Sequence, residues 1–376
     1  MGQVAIRSCS SYTPELVYET VKALIDELGG IKELVKRGER VLIKPNLLSA
    51  HEPSRCITTH PEVVKAVSRL CKDIGAIVAI GDSPAIDPFQ KVVRKTGMEA
   101  VSQELNIPLV EFSNPRPAPN GEWRVFKRIE IASQIFDADK VINIPKLKTH
   151  SQMLMTLGVK NNFGTVVKQA KAEWHSTAGT SRDLFGNLLI DVYLTINPVL
   201  TILDGIWGME GMGPTNGSPI FTGVLMASKD PVALDLYCLT MLGISWKLYP
   251  IYRQAKIRGL VDPRLSSEKV ESEISPSLFK KDFKIPKLDS MSVIPKGFEA
   301  ISRKYLVSKP VIMDSLCKGC ERCLSICPQK AIKKQGNRMG IDYDKCIRCY
   351  CCQEVCDFDA ITFKKGFFLK ITEKIF

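Results

Sequence analysis

Nine of the 13 cysteines in this 376-residue chain crowd into residues 317–356. They form two runs, Cys317-x2-Cys320-x2-Cys323-x3-Cys327-Pro328 and Cys346-x2-Cys349-x2-Cys352-x3-Cys356, the second followed by Asp357 where proline is usual. A cubane iron–sulfur cluster needs four thiolates at tetrahedral corners. Two-residue gaps let three sulfurs of one short loop converge on one cube, and the other run supplies the fourth. The spacing predicts two [4Fe–4S] clusters, one on Cys317, Cys320, Cys323 and Cys356, the other on Cys346, Cys349, Cys352 and Cys327. Zinc also accepts four thiolates, but its sites usually pair two CxxC knuckles and rarely use interlocked runs. Asp357 replaces a rigid residue without removing a ligand, and Cys351 reads as a spare thiol between ligands. Cys9, Cys56, Cys71 and Cys238 are scattered and read as small buried hydrophobes.

The two halves repeat internally, CPQKAI matching CDFDAI, each leading into a short strand. Residues 310–363 resemble a bacterial two-cluster ferredoxin domain, which implies transfer of single electrons at low potential.

A second group of motifs lies upstream, where strands should end: Lys44-Pro45-Asn46, GDSP ending on Pro84, NIPKLKTH ending on His150, GVKNNFG ending on Gly164, and DGIWGMEGMGP from Asp204 to Pro214. In α/β sheets, ligands bind beyond the carboxyl ends of the strands, so polar residues just after apolar strands converge on one crevice. Lys44, Lys146, Lys148 and Lys160, with Asn46 and Asn161, would offer an anionic ligand positive charge and hydrogen bonds; the competing reading makes two or more of these lysines surface residues. His150, Lys148 and His175 are the candidate proton donors. The five glycines from Gly205 to Gly217, Gly211 and Gly213 among them, read either as a loop whose amides approach a ligand or as a lid or tight turn. Asp82, Asp204 and Glu210 are carboxylates at strand ends, able to hold a metal, act as acid and base, or cap a helix. His60 reads as a helix-capping neighbour.

With SKDPVALD, these motifs resemble the family called domain of unknown function 362, often fused to ferredoxin modules, over roughly residues 3–245. The family name implies no activity.

The elements that must position these residues alternate. Strands are expected at 4–7, 40–44, 76–80, 108–112, 140–144, 200–203 and 221–227, and helices at 14–28, 61–74, 88–96, 183–196 and 231–242. Such alternation predicts an α/β fold with a mainly parallel sheet and flanking helices across 1–261. Residues 262–309, rich in Ser, Lys and Pro, read either as an irregular connection with a short helix near 298–305 or as strands packed back on the first domain. A small α+β ferredoxin-like domain (310–363) follows, and 364–376 is a tail of mixed aromatics and lysines that would pack on its own domain or dock on a partner or membrane surface.

The formal charge is +12. Two oxidised clusters, at about −2 each on four thiolates, would leave the loaded chain near about +8. No aromatic-interleaved basic motif or helix-turn-helix punctuation favours nucleic acid, which leaves an acidic redox partner or a small anion. No apolar run approaches the roughly 20 residues of a membrane span, and MGQVAIRSCSSYTPE lacks a secretory signal, so a cytoplasmic location is expected.

Three functions fit. The first is an oxidoreductase whose clusters exchange electrons with a small anionic substrate, carboxylate or phosphate. The second is a non-catalytic electron carrier or assembly adaptor that docks an acidic redox protein. The third is a redox sensor or metal-delivery protein. A flavin would join one-electron clusters to two-electron chemistry, but neither a flavin motif nor one for an additional metal is visible.

Overall fold

The computed structural model describes residues 2–119, 121, 123–179, 181–286, 308–336 and 338–364. The helix expected near 298–305 and all of the tail but Lys364 lie outside them.

The upstream strands, in chain order, are β1 (Val4–Ser8), β2 (Arg40–Pro45), β3 (Ile77–Asp82), β4 (Leu109–Glu111), β5 (Pro115–Pro117), β6 (Glu130–Ala132), β7 (Lys140–Ile144), β8 (Lys146–His150), β9 (Leu154–Thr156), β10 (Leu200–Met212) and β11 (Asn216–Ser228). The main sheet runs β1-β11-β10-β7-β2-β3-β4, with β8 added to β10 and β9 to β8. β10, β7, β2, β3 and β4 pair parallel in that order. The β1–β11–β10 edge and β8–β9 are antiparallel.

Strand periodicity divides the core. Val41 and Ile43 face one apolar layer, with the helices Pro14–Glu27 and Pro61–Asp73, while Leu42 faces the other, with Arg182–Ile196 and Pro231–Met241. A parallel strand covered on both faces must be apolar throughout, and β2 is buried from Val41 onward. Helix starts are fixed by Ser181 and Asp230 side chains accepting from backbone N–H groups, and by His60, whose ring accepts from Glu62 N.

Two expectations change. The glycine-rich stretch 205–217 is a β-hairpin, not an open loop: β10 and β11 pair as far as Met212 opposite Asn216, with one register shift between Gly205 and Trp207. All of its glycines but Gly211 stand where a Cβ would crowd a neighbouring residue. A Cβ on Gly213 would collide with the Thr149 carbonyl, so the hairpin tip can lie directly against β8. The described part of 262–309 contains a helix, Ser267–Glu273, and no strand before Lys309; Val270, Ile274 and Phe283 join the apolar core of the α/β domain.

In the cysteine-rich module β12 (Lys309–Ile312) pairs antiparallel with β15 (Ile361–Lys364), and β13 (Ile332–Gln335) with β14 (Arg338–Ile341). Two one-turn helices, Arg322–Ile326 and Cys351–Glu354, each lead to the last cysteine of a run.

Candidate functional site

Strands β2 and β3 deliver Lys44 and Asp82 to the same end of the sheet, where the pair closes at 3.0 Å, fully buried. Burial pushes the Lys44 amine down although Asp82 opposes it. Asp82 also accepts the Leu47 and Ser83 amides at 2.8 and 2.9 Å, so both its oxygens are fixed. The chain crosses this pair at Gly164, where an added Cβ would stand 2.6 Å from Lys44 Nζ; only glycine fits. Asn161 bridges neighbouring strands, donating to Asn143 Oδ1 at 2.8 Å while accepting from Asn46 Nδ2 at 2.9 Å.

After β7, Pro145 deflects the chain into β8, all five of whose residues are buried. Lys148 and His150 point to the side of Asn46, and Lys146 does not. Lys148 Nζ donates to Asn46 Oδ1 at 3.1 Å and to the Ile57 carbonyl at 2.5 Å, with no carboxylate partner, and burial lowers its amine far below the ordinary value. His150 Nδ1 accepts the Gln152 and Met153 amides at 3.1 and 3.2 Å, which leaves the ring proton on Nε2. That Nε2 stands 3.0 Å from Glu354 Oε1 but off the line of a hydrogen bond, and neither atom has another partner. Burial, with Lys160 next, holds His150 down at about 4. His175 is on the helix Gln169–Ala178. Its ring lies tilted against Phe185 at 4.3 Å, its Nδ1 is buried without a hydrogen-bond partner among the described residues, and burial likewise holds it at about 4.

These groups surround a cavity of about 90 Å³ lined by Lys44, Asn46, Asp82, Lys148, His150, Lys160, Asn161 and His175. Lys168 and Lys171 add to its wall, so five lysines face two carboxylates, Asp82 and Glu354. Lys160 makes no hydrogen bond or ion pair with the described residues, and burial lowers its amine, Glu354 opposing. Lys171, held at about 8 by burial, donates to the carbonyls of Ser83 and Pro84.

Five of the candidates from sequence do not line the cavity. Lys146 pairs with Asp204 at 2.9 Å, and both contact the Tyr12 hydroxyl in a separate buried cluster. Glu210 and Gly211 hold the backbone of Lys284 at 2.9 and 2.7 Å. Gly213 reaches the cavity only through its neighbour Pro214.

The remaining wall comes from the cysteine-rich module: Ile326, Cys351, Glu354 and Val355. Gln353 fixes this side, donating to the Met212 carbonyl at 2.9 Å and accepting from Ser151 Oγ at 3.1 Å. Arg322 clamps the other, reaching Asp87 at 2.8 and 3.2 Å, the Val355 carbonyl at 3.0 Å and Asp357 at 3.3 Å. Asp357, with His51 at 3.5 Å, therefore takes part in docking one domain on the other. Burial resists ionisation of Asp87, yet Arg322 and the Ala50 amide keep its carboxyl below the ordinary range. Arg322→Ala strands that buried carboxylate and is expected to cost about 3 kcal/mol of stability, read as a lower urea midpoint with iron content near wild type.

Cys327, Cys346, Cys349, Cys351 and Cys352 line one hollow of about 20 Å³, whereas Cys323 has Cys317, Cys320 and Cys356 as electrostatic neighbours. Among the described residues no three of these side chains meet as closely as a single metal ion would require. Thiolates set around a cube stand further apart than four on one zinc.

The family model described as "Domain of unknown function (DUF362)" matches residues 41–240, the stretch that supplies every cavity residue of the α/β domain. The chain belongs to this family. The model of the 4Fe-4S dicluster domain matches 309–357, so this DUF362 protein is an iron–sulfur protein with a ferredoxin-type electron-carrying module. The thylakoid-associated protein sll1697 of Synechocystis is 40% identical over 257 residues, 68% of this chain and 79% of that one. The ferredoxin of Methanothermococcus thermolithotrophicus is 38% identical over 52 residues, 13% of this chain and 87% of that one. The lactate racemase apoprotein of Thermoanaerobacterium thermosaccharolyticum aligns with TM-score 0.42 and 14% identity over 64% of this chain and 57% of that one. Among the described residues no helix is long and apolar enough to cross a membrane.

Sequence reasoning missed Glu354 and Lys171 in this DUF362 site. Glu354 lies between Cys352 and Cys356, where nothing in the sequence shows that it faces another domain. Asp357 did carry a signal, its departure from proline, whose meaning emerges only beside Arg322.

Proposed function

We propose that this protein is a ferredoxin-coupled oxidoreductase, exchanging single electrons between two [4Fe–4S] clusters and a small anionic substrate in the interdomain cavity. The observation that carries this reading is the shared wall. The cavity that gathers Lys44, Lys148, Lys160 and Lys171 is closed by Cys351, Glu354 and Val355, which lie between the cysteines Cys349, Cys352 and Cys356. A bound molecule would therefore sit beside the electron carrier, out of bulk water.

The clusters would supply electrons one at a time, so that a two-electron reduction takes one from each and two protons from the site. The chain's residues bind and orient. Lys160 and Lys148, with no carboxylate ion pair among the described residues, attract a carboxylate or phosphate, whose charge would favour their protonated forms. His150, neutral with its only ring proton on Nε2, is placed to hydrogen-bond and polarise the bound molecule, while the lysine ammonium groups would be the acids that supply the protons. The volume admits a handful of non-hydrogen atoms, which limits the ligand to a small acid.

The test is anaerobic. Reduced holo-protein is mixed with small carboxylates and phosphates while cluster absorbance is followed; one chemical class should reoxidise it at a saturable rate. A full panel without ligand-dependent reoxidation would end this reading. The cluster assignment has its own check. Cys356→Ala and Cys327→Ala should each halve the iron, from about eight to about four atoms per chain, leaving spectra of different remaining clusters. Loss of the same cluster in both variants would refute the crossed pairing.

A further inference from the structure

A second depression runs along the opposite face of the helix Gln169–Ala178. It is a groove of about 890 Å³ between that helix and the cysteine-rich module, lined by Cys327, Pro328, Lys330, Lys333 and Lys334 on the module side. Glu173 is the only carboxylate among its lining residues. The three lysines are exposed. Lys334 is paired with Glu321 at 2.5 Å, whereas Lys330 and Lys333 make no ion pair with the described residues. Groove and cavity meet at Ala172 and Ile326, which line both. Cys327 also lines the hollow of Cys346, Cys349 and Cys352.

We propose that this lysine-rimmed groove is the electron inlet, the docking surface for an acidic one-electron carrier protein. The proposal rests on the electron-carrying half of the reading above and is independent of the substrate. Its physical basis is charge and position. Lys330 and Lys333, exposed and without an ion pair among the described residues, leave the rim net positive, which steers an acidic protein and orients it on contact. The carrier would meet the module at Cys327 while the cavity stays closed on the far side of the helix. Each encounter passes one electron from the reduced carrier to the module, leaving the carrier oxidised by one electron, with no proton or bond exchanged. The groove is too wide for the small acid assigned to the cavity and carries no buried charge to fix one. A protein edge fits it.

The test measures how fast the oxidised holo-protein is reduced by a pre-reduced acidic [2Fe–2S] carrier protein, in stopped flow, without substrate. Lys330→Glu with Lys333→Glu should slow this second-order reaction by at least about tenfold at low ionic strength, and the wild-type rate should fall steeply with salt. Reduction by the methyl viologen radical cation should not be slowed. Lys32→Glu with Lys36→Glu, the same charge change on exposed lysines of the α/β domain, serves as the control for net charge. An unchanged rate in the groove variant, an equal loss in the control, or an equal loss with methyl viologen would each overturn the proposal. Because no substrate is present, its failure leaves the cavity reading untouched, and failure of the metabolite panel leaves this one standing.

Discussion

Lys160→Met is expected to reduce ligand-dependent reoxidation of the clusters by at least about a hundredfold while leaving the thermal unfolding midpoint unchanged or higher. Lys160 lines the cavity without a hydrogen bond or ion pair among the described residues, so its replacement breaks none of these. Methionine keeps nearly the same length of chain and removes only the amine. For an anion the change is severe, because a buried negative group deprived of its cation costs several times more than a surface pair. The result would separate binding from folding cleanly. A large fall in stability would show that Lys160 is structural, and an unchanged reoxidation rate would remove it from the site. Lys146→Met is the instructive contrast. Lys146 holds Asp204 at 2.9 Å in the other buried cluster, so its replacement should destabilise the fold.

Acidification from pH 7 to pH 5 is expected to remove roughly 3 kcal/mol of stability. His60, His150 and His175 are each held at about 4 in the folded protein, burial being the main cause. Unfolded, they titrate near the ordinary 6.5, so below that value the unfolded state binds more protons and stability falls with pH. The window runs from about 6.5 down to about 4, and each histidine loses about 2 kcal/mol between pH 7 and 5. Asp235 acts in the opposite sense. Burial pushes its carboxyl up to about 7, so its protonation in the folded state returns about 2 kcal/mol over the same range. Urea unfolding at a series of pH values measures the sum. His60→Asn, which keeps an oxygen able to cap its helix, should flatten the profile by one histidine's share; Asp235→Asn should steepen it. A flat wild-type profile would show that these histidines are protonated in the folded state.

The parts legible in the sequence are those carried by local spacing. Interlocked cysteine runs can hold a cubane cluster because the geometry of two-residue gaps is fixed within each loop. The helix Pro61–Asp73 announced itself through a proline suited to the first turn. The parallel strands β2 and β7 did so through unbroken apolar runs. Positions after those strands gathered where the α/β rule places them: Lys44, Asn46 and Asp82 line one cavity with Lys148, His150, Lys160, Asn161 and His175.

Other features depend on contacts between residues far apart in the chain. Glycines from Gly205 to Gly217 have the composition of a phosphate-binding loop, yet they form a hairpin, since the same lack of a side chain that admits a ligand also admits a neighbouring strand. Lys146 and Lys148 are two residues apart on β8, a spacing that would put them on one face of a regular strand, yet the β8–β10 register shifts between them and one closes an ion pair while the other enters the cavity. Glu354 and Asp357 look like incidental residues of a cysteine run until the module is seated on the sheet, where one faces His150 at 3.0 Å and the other Arg322 at 3.3 Å. The sequence by itself determined which residues could hold iron and sulfur and which segments would become strands and helices, because both follow from covalent spacing and short-range periodicity. Only the tertiary structure decided which lysines share a cavity and which wall closes it, because those follow from how two separately patterned domains pack.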